Sequence, residues 1–260
     1  MLLRVLGCSG SDLPGHHLTS FLVDEAILLD AGSVTSALDL SQQSKITDIF
    51  VTHAHLDHIK DILFLADNLI EFFSGKDRPP VRIHGLADVL GSIAEHLLND
   101  TIWPDFTVIP ENAPVLAYHP LAPETVIQVR GLNVATCPVN HARAASGFVL
   151  WSDDGEHNVA YTGDTGPNGR WWDFLNALPF PLTNLITEAS FPNSMETLAR
   201  TSKHLTPGLL RVELERLTVR PKVHIYHMKS PFSAQIQEEL QRDLAGYTYH
   251  LMNEKETFSF

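Results

Sequence analysis

Short apolar runs separated by turn residues open the chain: LLRVLG, then TSFLVD, then AILLDAG. Each is long enough for a strand and too short for a helix. The run KITDIFVTH adds Ile, Phe and Val in a segment of buried-strand character. Immediately after it the period changes. In DHIKDILFLADNLIEFF, Ile59, Ile62, Leu63, Leu65, Ala66, Leu69, Ile70 and Phe73 recur at helical spacing. PPVRIHG and LADVLGSIAEHLL repeat the strand-then-helix order. Residues 99–114 show no period and are punctuated by prolines, which predicts a long loop or lid.

Four β-type runs follow, VLAYHP, TVIQVRG, LNVATCP and SGFVLWS, and HNVAYTGD is a further strand ending in a polar turn. The last part alternates again. TNLITEAS, KVHIYH and YTYHLM read as strands, with TPGLLRVELERL and SPFSAQIQEELQRDLA as helices between them. Thr206 and Pro207 supply an N-cap and a first helical position. There is no repeat, low-complexity tract or Gly/Ser linker. Two β-rich halves, each with helices, predict an α/β fold in which two sheets pack together under outer helices, as one domain over residues 1–260.

Composition narrows the partners. The 260 residues carry 31 acidic and 18 basic side chains, a formal charge of −13. That field opposes a long polyanion, and no Lys/Arg run is long enough to offset it, so no nucleic-acid partner is expected. A small monoanion is repelled far less. Only Cys8 and Cys137 occur, outside any Cys-x-x-Cys spacing, which argues against a thiolate zinc site and predicts two buried free thiols. The N-terminal apolar run is too short for a signal peptide and no stretch suits a membrane span, so a soluble cytoplasmic protein is expected.

The chemistry concentrates in THAHLDHIKD, at a strand-to-helix junction where open α/β sheets place their sites. His53 and His55, two apart at a strand end, point the same way. Asp57 and His58 lie where the chain turns into the helix and can face another direction, so one pair can hold one ion and the next pair a second. Imidazole with carboxylate favours zinc, with manganese or iron as alternatives. His141, Asp164 and His227 also close β-type runs, and His204 just precedes a helix. Singly, each is an ordinary strand-end residue.

THAHLDH, then a lone His, then GDTG, then a late strand-end His resembles the metallo-β-lactamase superfamily. The resemblance implies a four-layer αββα sandwich with a dinuclear metal site between the sheets. It also implies that His53, His55 and His141 hold the first metal, that Asp57, His58 and His227 hold the second, and that Asp164 bridges. Reaction type does not follow, because the superfamily hydrolyses lactams, thioesters, lactones and phosphodiesters.

Further motifs resemble the class II cyclic-nucleotide phosphodiesterases within that superfamily. They are HLDH, GDTGP, EASFPN at Glu188 to Asn193, SKHLTP at Ser202 to Pro207, HMKSP at His227 to Pro231, GHHLTSFLVD, LLDAGS and IWPDF. Ser230, between Lys229 and Pro231, departs from the pattern. The implied reaction is hydrolysis of 3′,5′-cyclic AMP or GMP to the 5′-monophosphate by a metal-bridged hydroxide. Two divalent ions set against Asp57, Asp164 and that hydroxide leave about one positive charge, which attracts a monoanionic phosphate. His204 is the candidate for protonating the leaving oxygen, with Glu188 orienting it. The same Glu–His pairing is implied by resemblance to tRNA 3′-processing endonucleases, the alternative reading, and a non-catalytic metal-binding domain is the third. Trp103 and Phe106 are read as packing or dimer-contact residues, with base stacking as the alternative. A homodimer stays compatible with the sequence. Asn193 and Lys229 are weaker candidates for phosphate or ribose contacts. His17 is the remaining histidine whose loop could reach the site.

Overall fold

The computed structural model describes residues 1–73 and 78–260. The first half builds β1 (Leu2–Gly7), β2 (Ser20–Val23), β3 (Ile27–Leu29), α1 (Leu40–Gln43), β4 (Asp48–Phe50) and α2 (Leu56–Phe73). It continues with β5 (Val81–Leu86), α3 (Ala87–His96) and β6 (Leu116–Leu121). The second half builds β7 (Val126–Val129), β8 (Leu132–Pro138), β9 (Ser146–Trp151), β10 (Asn158–Tyr161), α4 (Gly169–Asn176) and β11 (Asn184–Glu188). After it come α5 (Glu196–Ser202), α6 (Pro207–Leu214), β12 (Lys222–Tyr226), α7 (Ser233–Asp243), β13 (Tyr249–Leu251) and β14 (Thr257–Ser259).

The strands form two seven-stranded sheets, ordered β14-β1-β2-β3-β4-β5-β6 and β13-β12-β11-β10-β9-β8-β7. Each sheet is antiparallel on one side and parallel on the other. The first changes over at β3, whose partner β4 is parallel. The second changes over at β10, whose partner β11 is parallel. Parallel neighbours need crossovers, and helices supply them on the outer faces.

Alternation along the strands fixes the layers. In β4, Phe50 joins a central apolar cluster while Ile49 joins the one under α2 and α3. In β9, Phe148 and Leu150 face the same centre while Val149 meets the residues under α4 and α6. Three apolar layers therefore separate four layers of structure, the αββα sandwich that the resemblance implied. Fully buried Leu and Phe side chains contribute ~1.5–3 kcal/mol each to holding it. Among them Phe21 packs edge-on against Tyr161 and Tyr226, with ring centroids 5.4 and 5.6 Å away.

Helix α2 forms as its spacing predicts, burying Ile59, Ile62, Leu63, Leu65, Ala66, Leu69 and Phe73. Thr206 caps α6 by accepting from the Leu209 amide, and Pro207 stands in its first turn. Sequence periodicity does not reveal α1, α4, α5 or β14. In α4 three of eight residues, Trp171, Trp172 and Leu175, are buried, too few turns for a period to stand out. Residues 99–114 carry no helix or strand, and the segment packs down on α2: the Trp103 indole N–H donates to the Leu63 carbonyl at 3.1 Å. Phe106 is 2% exposed within the core, so it is unavailable to stack on a base. Cys8 and Cys137 are free thiols, the first half-buried and the second buried. Among the described residues no helix is long and apolar enough to cross a membrane.

Candidate metal centre

The ends of five strands meet at one rim of the sandwich. His53 follows β4, His55 directly precedes α2, and Asp57 and His58 stand in its first turn. His141 follows β8, Asp164 follows β10, Glu188 ends β11, and His227 follows β12. One nitrogen from each of His53, His55 and His141 lies within 4.8 Å of the other two. Asp57, His58, Asp164 and His227 form a second such set. Asp164 stands between them, with Oδ2 3.9 Å from His53 Nε2 and 3.2 Å from His227 Nε2, and Oδ1 3.4 Å from His58 Nε2. All seven sequence-derived ligand candidates thus fall into one cluster.

The local backbone is built for this approach. Gly163 adopts φ 61°, and a Cβ there would lie 2.8 Å from Thr52. A Cβ on Gly32 would meet the Asp57 carbonyl at 2.0 Å. His227 itself takes φ 59°, a conformation costing a β-carbon residue ~1–3 kcal/mol. Its amide, donating to the Cys8 carbonyl at 2.7 Å, holds it there.

Four of the five histidines are oriented through their outer nitrogens. His58 Nδ1 donates to Asp30 at 2.7 Å, and His141 Nδ1 donates to the Lys203 carbonyl at 3.1 Å. His227 Nδ1 pairs with the Thr19 hydroxyl at 3.1 Å. The Thr52 hydroxyl donates to Asp30 at 2.8 Å, so it accepts from His53 Nδ1 at 3.0 Å. Asp30 also accepts from the Thr52 amide and the Tyr161 hydroxyl. One carboxylate therefore steers a histidine of each set. Fixing the outer nitrogen fixes the tautomer and aims the inner lone pair.

Those inner nitrogens supply the test of fit for a cation. His53 Nε2, His58 Nε2 and His227 Nε2 are buried and have no hydrogen-bond partner. Leaving buried polar atoms unpaired costs ~1–3 kcal/mol each. Here all three turn toward carboxylate oxygens, an arrangement suited to a divalent metal. Burial keeps His53, His55, His141 and His227 on the neutral side, with His227 pushed down to about 4. Burial also disfavours charge on Asp164 and His58, yet each favours the other's ionised form. Asp164 sits well below the usual carboxylate range and His58 well above the usual imidazole value. A metal held at His58 would require that proton to leave.

Beside the cluster, Glu188 is fully buried and accepts from His204 Nδ1 at 2.8 Å. It also accepts from the amides of Thr165 and Leu205 and from the Ser190 hydroxyl. Burial opposes charge on His204, but the Glu188 carboxylate outweighs it and raises the imidazole to about 9. His204 Nδ1 is 4.0 Å from Asp164 Oδ2. A cavity of about 690 Å³ opens next to His55, with Asp88, Ser92, His96 and Arg143 on its walls.

Other candidates resolve differently. His17 pairs with Glu254 at 3.3 Å, away from the ligand sets. Asn193 joins structural elements, accepting from the Gly208 amide and donating to Asp243. Lys229 donates to the Gly10 carbonyl at 2.6 Å. The orienting residues Asp30, Thr19, Thr52 and Tyr161 are not singled out by motif spacing. The signal for Asp30 was a carboxylate closing the apolar run AILLD.

The family described as the beta-lactamase superfamily domain matches residues 26–241. A 3′,5′-cyclic-nucleotide phosphodiesterase of Aliivibrio fischeri is 28% identical over 262 residues, 82% of this chain and 74% of that protein. Unliganded yeast PDE1 superposes with a TM-score of 0.85 at 18% identity, over 100% of this chain and 99% of that one. The short form of human tRNase Z superposes at 0.71 and 17% identity, over 100% and 99%.

Proposed function

Because the chain belongs to the β-lactamase superfamily, we propose that its His/Asp cluster holds two divalent ions and hydrolyses 3′,5′-cyclic nucleotides to 5′-monophosphates. The observation that carries this reading is the pair of adjacent ligand sets, with Asp164 of the second set 3.9 Å from His53 of the first and the Glu188–His204 pair alongside. The all-nitrogen set of His53, His55 and His141 suits zinc, with manganese or iron as alternatives. Bound there, such ions supply Lewis acidity and activate water for in-line displacement at phosphorus.

The protein's own groups do the rest. Glu188 holds His204 through Nδ1 and leaves Nε2 to hand a proton to the departing 3′-oxygen. Ser190 and the Leu205 amide keep Glu188 in place. Asp57, 28% exposed where its neighbours are buried, lies at the solvent side of the second set. The cavity beside His55 has room for a base and ribose, and Arg143 on its wall favours an anion. The relative from Aliivibrio fischeri bears the name of this activity. A chain of formal charge −13 is better matched to one phosphate than to a polyanion.

The test is hydrolysis of cyclic AMP and cyclic GMP by zinc- and manganese-loaded protein, resolving the 3′- from the 5′-monophosphate. We expect the 5′ product, abolished in Asp57→Ala. If metal-loaded protein turns over neither nucleotide but trims tRNA 3′ ends, the likeness to tRNase Z carries the function instead. If it is inert on every phosphodiester and ester, the metal has a non-catalytic role.

A further inference from the structure

The parallel strands of the first sheet carry the metal cluster at their carboxyl ends. At their amino ends lies a second cavity, of about 580 Å³. Thr47 precedes β4 and His53 follows it, so the two sites are ~20 Å apart along the strand direction. Arg78, Pro79 and Pro80 enter from the segment before β5, Arg82 from β5, His119 from β6, and Arg130 from the β7–β8 turn. Among the described residues no acidic side chain lines it. In a chain with 31 acidic and 18 basic residues, three guanidiniums around one hollow is not the default arrangement.

The groups around it are unevenly satisfied. Asp48, buried behind the cavity wall, accepts from Arg82 Nε at 2.7 Å and from His84 at 2.7 Å. Arg78 spends one nitrogen on the Ser44 and Ile46 carbonyls and lies over the Phe73 ring, 4.7 Å from its centroid. Among the described residues Arg130 has no hydrogen-bond or ion-pair partner. Its backbone is also in an unfavourable state. Val129 pairs with Leu132, so Arg130 and Gly131 form a two-residue hairpin turn, with φ values of 52° and 80°. Such turns favour Asn or Gly at the first position. An arginine held there against its backbone preference points to a use for the side chain.

We propose that this cavity is a second ligand site, which binds a phosphate monoester carrying an organic group. Guanidinium forks match phosphate oxygens in pairs, as ammonium groups do not. With Asp48 set against Arg82, the charges of Arg78 and Arg130 remain among the described residues, and that surplus suits a dianionic monoester better than a monoanionic diester. The volume exceeds what inorganic phosphate alone would fill, and Pro79 and Pro80 give an apolar wall for the remainder. The site stands apart from the metal cluster, and the inference does not depend on the reaction proposed there.

The test uses metal-loaded protein and two probes, inorganic phosphate and 5′-AMP, titrated calorimetrically into wild type, Arg130→Gly and Arg130→Lys. Binding at the metals is common to all three, so the difference isolates the distal cavity. We expect Arg130→Gly to lose one class of 5′-AMP site, with affinity there falling tenfold or more. Its melting temperature without ligand should rise by ~2 °C, because glycine relieves the turn. Arg130→Lys, which keeps the charge without the fork, should bind with intermediate affinity. Saturating 5′-AMP should raise the melting temperature more in wild type than in Arg130→Gly. Identical isotherms and identical ligand-induced shifts in wild type and Arg130→Gly would overturn the proposal.

Discussion

Two buried histidine–carboxylate pairs stand on the first sheet, one toward each end of its parallel strands. His58 meets Asp30 at 2.7 Å, and His84 meets Asp48 at the same distance. In both, the other ring nitrogen lacks a hydrogen bond. The surroundings separate them. His58 Nε2 turns toward Asp57 and Asp164 at 4.0 and 3.4 Å. His84 instead stacks on Phe50, with ring centroids 4.5 Å apart, and joins no ligand set among the described residues. The carboxylates differ as well. Asp30 takes neutral donors from Thr52 and Tyr161, whereas Asp48 is matched by the Arg82 guanidinium. A buried His–Asp pair is therefore an element of construction that either end can use, and convergence with further ligands makes one of them a site.

That contrast can be broken or sharpened by substitution. The largest effect should come from His204→Ala, which we expect to lower turnover of a cyclic nucleotide by ~10²–10⁴-fold. Metal content by atomic emission should stay at the wild-type value. Loss of metal along with activity would move His204 from proton donor to ligand, an assignment its set with His141 and Asp164 also permits. Next comes Asp30→Asn. Because Asp30 steers His58 directly and His53 through Thr52, metal affinity should weaken ~10–100-fold. Competitive chelator titration would show it, and the weakening should extend to both ions. An effect confined to one would disprove the shared anchor.

The smallest effect belongs to the other pair. Burial alone would raise Asp48, but His84 and Arg82 outweigh it and hold its pKa at about 2. A folded-state value below the unfolded one stabilises the fold above the unfolded pKa of ~4 and is lost as pH falls through about 2. Asp48→Asn should cost about 2 kcal/mol at neutral pH, with the gap to wild type closing between pH 4 and 2. Denaturant melts across that range would measure it. Metal content and turnover per folded molecule should not change, and if they do, the two ends of the sandwich are coupled.

Much of the metal cluster was legible because its ligands come in short motifs. THAHLDH carries four of the seven candidates, and each of the others closes a β-type run. The orienting groups were not legible in the same way. Tyr161 reaches Asp30 across 131 residues of sequence, and Thr19 reaches His227 across 208. Nothing in the neighbourhood of either residue marks such a contact. Two packed sheets under outer helices followed from strand and helix periods, and the four-layer αββα sandwich from the resemblance, but α4 and α5 were too short to show a period. Phe106 falls on the favoured side of its two readings: it is buried in packing and not available for base stacking.

The pairing of β14 with β1 has a consequence for how the molecule assembles. Leu2, Leu3 and Arg4 take Ser259, Phe258 and Thr257 as partners, after the whole second sheet has intervened. The edge of the first sheet is thus completed by a segment that must first travel past the second. Contacts of such long sequence separation delay folding, because the chain entropy is lost before the reward arrives. They also bind the fates of the two sheets together. A fragment ending at β6 would leave β1 with one flank of backbone hydrogen bonds unmade, an open edge ready to recruit another chain.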